Sequence, residues 1–271
     1  MKLAYSVGTP EVNVPLMAFC GDFEQNVADI KAIGYEAIEL FVRSPKEMRV
    51  DDVRRVIDRS GLEVAAIATN PAMLQDGLNL LHPDADIRRQ AVERVIDLID
   101  FSAEYHAPVC IGKYRGQIWK GDEDAAWREL GKALKRICDH AGEKGASIML
   151  EPQTKNGINN LNTTAETSRW IDSLGFNNLG ILYDTYHGQL DETSVASGIV
   201  EAGGKIGFVH LSDSNRLPPG TGNIDFADSL AVLKAIGFDG YLSMEIAQRP
   251  SGRVAAETAF KTIDYILKYV I

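Results

Sequence analysis

Short apolar runs alternate along this chain with longer stretches in which apolar residues recur every three or four positions. The short runs are Lys2–Val7, Ala37–Leu40, Glu63–Ala68, Pro108–Ile111, Ser147–Leu150, Gly180–Tyr183, Lys205–Leu211 and Tyr241–Met244. Their length and their β-branched and aromatic content predict strands. Asp86–Tyr105, Asp122–Lys144, Asn162–Leu174 and Arg253–Tyr269 set charges opposite an apolar stripe, the pattern of helices packed on one face. Residues 30–40, IKAIGYEAIEL, and 233–246, LKAIGFDGYLSMEI, nearly repeat each other. Both describe a helix end, a Gly suited to a left-handed C-cap, an aromatic residue and then a strand. Residues 172–184, DSLGFNNLGILYD, follow the same plan more loosely. One loop design used several times implies a chain assembled from equal strand–helix units.

About eight such units fill residues 1–271, and no Pro/Gly/Ser-rich linker divides them, so a single domain is expected. Strands joined through helices run parallel, and eight units close into a (β/α)8 TIM barrel of the α/β class. An open doubly wound sheet is the rival. It calls for a Gly-rich phosphate loop after the first strand, and SVGTPEVNV is not one.

Barrel active sites occupy the C-terminal rim of the strands, so the residues that end each apolar run carry the information. IMLEP ends in Glu151, GILYD in Asp184, GFVHLSD passes through His210, and YLSME ends in Glu245. Successive members are separated by about one strand–helix unit, which places them at the ends of the fifth to eighth strands. Parallel neighbours lie roughly 4.8 Å apart, so four side chains from one arc can meet. Three carboxylates brought together raise one another's pKa unless a cation joins them. An oxygen-rich set with one imidazole and no thiolate suits Mn²⁺, Mg²⁺, Co²⁺ or Zn²⁺. Singly, a strand-end carboxylate is also a common helix N-cap, and a lone His210 is commonly a hydrogen-bonded rim residue. Beside the four stand His187, three residues after Asp184, and Arg216 in SDSNRLPPG; either can hold substrate oxygens or face solvent. Lys113 and Arg115, in IGKYRGQIW after the fourth strand, can bind a phosphate or be solvated.

Composition narrows the partners. A formal net charge of −10 with no long basic run argues against a nucleic-acid partner. The N-terminal residues lack an apolar signal region, and no run is long enough to span a membrane, which predicts a soluble, cytoplasmic protein. Cys20, Cys110 and Cys138 are too few and scattered for a disulfide framework and read as small buried hydrophobes.

Over nearly its whole length the chain resembles the xylose isomerase-like barrels, and most of all the branch containing D-tagatose (D-psicose) 3-epimerase, L-ribulose 3-epimerase and hydroxypyruvate isomerase. LEP at Glu151, YDTYH at Asp184 and His187, HLSDSNRLPPGTG at His210 and Arg216, and MEI at Glu245 carry the likeness. The resemblance implies a sugar epimerase or aldose–ketose isomerase acting on a small keto sugar through an enediolate. It also implies one divalent ion, most often Mn²⁺, held by Glu151, Asp184, His210 and Glu245. Glu151 and Glu245 would move protons on opposite faces of the sugar, and His187 and Arg216 would touch substrate near its carbonyl. A homodimer or homotetramer is compatible with the likeness. The chain departs from the 3-epimerases in EPQTKNG, where Lys155 and Gly157 replace an Arg and a second Glu.

Three other functions are weighed against this. An endonuclease IV-like three-zinc phosphodiesterase needs further histidines, and Thr69-Asn70 and Gly112-Lys113 supply none. An inosose dehydratase-like lyase shares the superfamily and the metal chemistry. A sugar-binding barrel without turnover would have no need of both Glu151 and Glu245.

Overall fold

The computed structural model describes all residues from Met1 to Ile271. Eight parallel strands close into a barrel in sequence order: β1 (Lys2–Gly8), β2 (Ala37–Phe41), β3 (Glu63–Ala68), β4 (Val109–Ile111), β5 (Ile148–Leu150), β6 (Leu179–Asp184), β7 (Ile206–Leu211) and β8 (Tyr241–Met244). Closure is made by β1 on β8, with Lys2 opposite Tyr241 and Tyr5 opposite Met244. Ten helices cover it: α1 (Phe23–Ile33), α2 (Val50–Ser60), α3 (Asn70–Asp76), α4 (Ala85–Ala103), α5 (Glu123–Glu143), α6 (Thr164–Leu174), α7 (Thr185–Asp191), α8 (Val195–Ala202), α9 (Phe226–Ala235) and α10 (Gly252–Tyr269). Eight complete the strand–helix units, whereas α3 and α7 are seven-residue turns on the rim.

The repeated loop reads as expected: Gly34, Gly175 and Gly237 have φ of 118°, 71° and 80°, the left-handed geometry that a side chain resists. Asp22, Asp84, Thr163, Asp225 and Ser251 start their helices by accepting a backbone N–H. No helix is long and apolar enough to cross a membrane.

The main core fills the annulus between strands and helices, with Tyr5, Tyr35 and Phe260 stacked edge to face across it. A second cluster plugs the barrel itself. Ala4, Ala37, Ala65 and Ala66 from β1–β3 face the larger Met149, Leu182 and Phe208 from β5–β7. Met149 is admitted by glycines: a Cβ on Gly180 or Gly207 would lie 2.9 or 2.6 Å from its sulfur. Above that plug the inward positions turn polar, with Ser6, Glu39, His210 and Ser243 all buried. Cys110 and Cys138 are buried thiols, but Cys20 is exposed. Cys20 lies on the loop between β1 and α1, outside the regular elements that bury the other two.

Candidate metal centre

Glu151 directly follows β5, Asp184 closes β6, His210 is the penultimate residue of β7, and Glu245 directly follows β8. The β6–β7 register sets Asp184 opposite His210. Each residue offers one atom to a common point, and those four atoms lie within 4.8 Å of one another. All four side chains are buried, so their charges cannot be left to water.

How each ligand divides its atoms decides the character of the site. Glu151 accepts from the Gln153 side chain at Oε2, and its Oε1 has no partner. Asp184 uses Oδ1 to cap α7 through the Tyr186 N–H at 2.8 Å and turns Oδ2 to the centre. Glu245 takes a 3.3 Å bond from Asn70 at Oε1 and keeps Oε2 for the centre. His210 holds Nε2 3.0 Å from both oxygens of Glu39 and leaves Nδ1 unpartnered. That Nδ1 stands 3.6–3.9 Å from the inward oxygens of Glu245, Glu151 and Asp184, too far for hydrogen bonds. Four donor atoms face one point, each residue anchored from behind. Arg216 Nη1 stands at one side of that point, 2.7 Å from Asp184 Oδ2 and 3.3 Å from Glu245 Oε2. Three hard oxygens and one nitrogen suit a divalent cation.

Glu39 is the member that sequence reasoning missed. It sits in β2 on the strand face shared with Ala37 and Phe41, accepts from Ser6 at 3.0 Å and Ser243 at 2.7 Å, and bonds His210. With Glu39 accepting from Nε2–H, Nδ1 is the ring atom turned to the centre, where a cation would take the place of its proton. A carboxylate on the inner face of the buried segment AIELF was the available signal. Asn70 and Gln153 were missed as well, since an amide at a strand end has no distinctive pattern.

The electrostatics separate the two glutamates. Burial raises the Glu245 carboxyl toward about 7, despite the opposing charges of His210 and Arg216. Burial also penalises ionised Glu151, but the neighbouring His210, His187 and Arg216 hold it below the usual carboxylate range. Burial disfavours charged His210, yet Glu39 and Glu245 raise it well above the ordinary imidazole value.

His187 is not on an open loop but in the first turn of α7, where it is buried. Thr154 N–H lies 3.3 Å from its Nδ1, and Arg216 Nη2 lies 2.9 Å from its Nε2. Neutral imidazole has a single lone-pair nitrogen, which the shorter contact from Arg216 assigns to Nε2, and burial lowers the pKa of the ring. Arg216 also donates to Asp184 at 2.7 Å and stacks 4.3 Å above the Tyr186 ring centre. Its backbone adopts φ 60°, a left-handed turn that aims the guanidinium inward. The structure therefore brings His187 and Arg216 together beside the four converging residues, and both line a cavity of about 500 Å³.

Neither expectation for Arg115 holds. Its guanidinium is fully buried and donates to the Asn160 side chain and to the carbonyls of Gly112, Glu151, Asn160 and Leu161, tying the β4 and β5 loops together. Burial drives its pKa down, and backbone oxygens are its partners in place of a phosphate. Lys113 is exposed on the cavity wall. Lys155 turns to Asp191, 3.5 Å away.

Residues 27–266 match the model of a family described as the xylose isomerase-like TIM barrel. The chain belongs to that family. Among xylose isomerase-like barrels, it is 34% identical over 248 residues to a D-psicose 3-epimerase of Enterocloster bolteae, covering 87% of this chain and 80% of the relative. An L-ribulose 3-epimerase of a Methylomonas species is 28% identical over 229 residues, 81% of this chain and 76% of its own length. In three dimensions a solved L-ribulose 3-epimerase superposes with a TM-score of 0.82 at 24% identity, over 97% of this chain and 94% of that one. That likeness reports the shared fold.

Proposed function

We propose that this chain, acting as one barrel domain, is a divalent-metal-dependent ketose epimerase that inverts the carbon next to the carbonyl of a keto sugar. The observation that carries the reading is the placement of two glutamates, Glu151 and Glu245, at opposite ends of the β5–β8 arc, each with one oxygen facing the common point. The curated relatives named above, ketose 3-epimerases, support the same reaction class.

A proton beside a ketone is too weakly acidic for a carboxylate alone. A bound divalent ion, with Mn²⁺ proposed from the oxygen-rich donor set, would supply Lewis-acid stabilisation of the enediolate charge. Glu151 and Glu245, reaching the common point from the two ends of the arc, suit proton removal on one face of the sugar and proton return on the other. Arg216 and neutral His187 would bind and orient the carbonyl and adjacent hydroxyl oxygens. Return from the far face inverts the carbon, while return to the neighbouring carbon would give an aldose, the isomerase alternative. The cytoplasm is the proposed compartment, consistent with the buried free thiols of Cys110 and Cys138.

The test is proton exchange at C3 of D-fructose and D-psicose in D₂O with Mn²⁺-loaded protein. Glu151→Gln and Glu245→Gln, each saturated with Mn²⁺ and assayed for metal content, should lose epimer formation. One of them should still exchange the C3 proton, because its remaining glutamate can remove and return a proton on its own face. Near wild-type epimerisation by both metal-loaded variants would refute the two-glutamate mechanism. An aldose as the only product would reassign the enzyme as an isomerase.

A further inference from the structure

We propose that the keto sugar turned over here carries an anionic group, a carboxylate or a phosphate, on the end remote from its reacting carbons, and that Lys113 receives it. The proposal rests on the epimerase reading and extends it to substrate class.

The argument begins with a second cavity. Beside the one over the ligands lies another of about 480 Å³, and both have Met73 and Lys113 among their lining residues. The neighbour is walled by Leu81, Ile118 and Trp119 and by the amides of Asn79 and Gln117, and Lys113 is the only charged residue that lines it. With its carbonyl end at Arg216 and His187, the sugar would extend its far end across the same cavity to Lys113, at the boundary with a neighbour that holds no carboxylate.

Lys113 is a built feature of that junction. It opens a short 3-10 turn, Lys113–Arg115, whose third residue is the buried Arg115 that locks the β4 and β5 loops. The root of the side chain is thus fixed while its end is free. Its route crosses Gly157, where a Cβ would come within 2.7 Å of Cε and 2.9 Å of Nζ. The absence of a side chain at residue 157 is what lets the ammonium lie there.

Lys113 forms no ion pair in the structure, whereas other cations near the rim are matched: Arg43 and Arg94 with Asp76, Lys155 with Asp191, and Arg216 with Asp184. Arg249, on the β8 side of the mouth, is likewise unmatched and adds to the positive potential at the entrance. In a chain of net charge −10, an unmatched lysine shared by the reaction cavity and an acid-free neighbour fits a negative group brought by the substrate.

D-fructose, D-fructose 6-phosphate and D-fructuronate, compared by C3 proton exchange, separate the cases. Wild-type kcat/KM should favour one of the two anionic sugars over D-fructose by about tenfold or more, the size of one charge-assisted hydrogen bond. Which of them wins distinguishes phosphate from carboxylate. Lys113→Met should bring that ratio close to one. Gly157→Ala keeps the charge but pushes the flexible ammonium aside, and it should lower the same ratio without loss of folding. A wild-type ratio near one, or a preference that survives Lys113→Met, would overturn the proposal. Absence of exchange from all three sugars would count against the epimerase reading instead. Calorimetric binding of D-fructose 6-phosphate and D-fructuronate relative to D-fructose, in wild type and Lys113→Met, then decides this proposal by itself. A Lys113-dependent preference supports it and equal affinities refute it.

Discussion

Asp184 does two jobs with two oxygens. One caps α7 and the other faces the cluster of Glu151, His210 and Glu245, so the helix-cap reading of this strand-end carboxylate holds and leaves one oxygen over for the proposed metal. Asp184→Asn separates them. The amide oxygen still accepts from Tyr186 N–H and keeps the start of α7, but the buried 2.7 Å ion pair from Arg216 to Oδ2 is lost. The metal-free protein should therefore melt below wild type, while bound metal measured by elemental analysis falls well below one equivalent. Full occupancy would leave Asp184 as a cap alone. Glu39 makes the complementary point. Its partner His210 is 171 residues away, and reading along the chain cannot bring the two together. The strand-end quartet was legible because spacing alone reveals it; the carboxylate behind the imidazole depends on barrel closure. Glu39→Gln should weaken metal binding by about 10- to 100-fold, measured by competition with a chelating dye. Unchanged affinity would show that His210 needs no help to present Nδ1.

Among the elements, the eight strands and the helices α4, α5, α6 and α10 were foreseen within a residue or two, the glycine-capped loops were foreseen with their geometry, and α1, α2, α8 and α9 were counted without bounds. The short rim helices α3 and α7 were not. Seven residues give barely two turns, too few for a 3.6-residue period to show against a loop, and each begins at a strand end where a polar residue is expected anyway. Yet α3 supplies Asn70 and Met73 to the cavity wall. Its last residue, Asp76, accepts from Arg43 at 2.7 and 2.9 Å and from Arg94 at 2.7 Å, which also holds the Arg43 carbonyl at 2.6 Å. Partial burial opposes the ionised form of Asp76, but these guanidiniums win and hold its pKa below the ordinary 3.8. A depressed pKa means the unfolded chain takes up this proton first as pH falls. The stabilisation is therefore complete above the unfolded value and is lost as pH drops through the lower, folded one. Denaturant unfolding of wild type and Asp76→Asn should show the wild-type advantage at pH 7 and its disappearance in strongly acidic buffer. A difference independent of pH would mean that the contact acts through shape and not through charge.

For the whole molecule, the count of units made the barrel legible, but not how its interior is filled. The alternating strand faces assign an inner side, and the sequence pattern does not say that alanines on β1–β3 meet Met149, Leu182 and Phe208 across it. Nor does it say that glycines at 180 and 207 make room for Met149. Those are agreements between distant strands. The same holds for Arg115, whose charge suggests the surface and whose five hydrogen bonds draw it inside. The four residues proposed to hold the metal come entirely from residues 151–245, the second half of the barrel, whereas Leu16, Phe41, Met73 and Lys113 of the first half contribute much of the cavity wall. Reactivity and selectivity thus have separate addresses in the gene. Drift in the first half can retune which sugar is admitted while the chemistry stays intact, with two tethers: Glu39, on which the imidazole of the second half leans, and Asn70, which anchors Glu245, must be inherited unchanged.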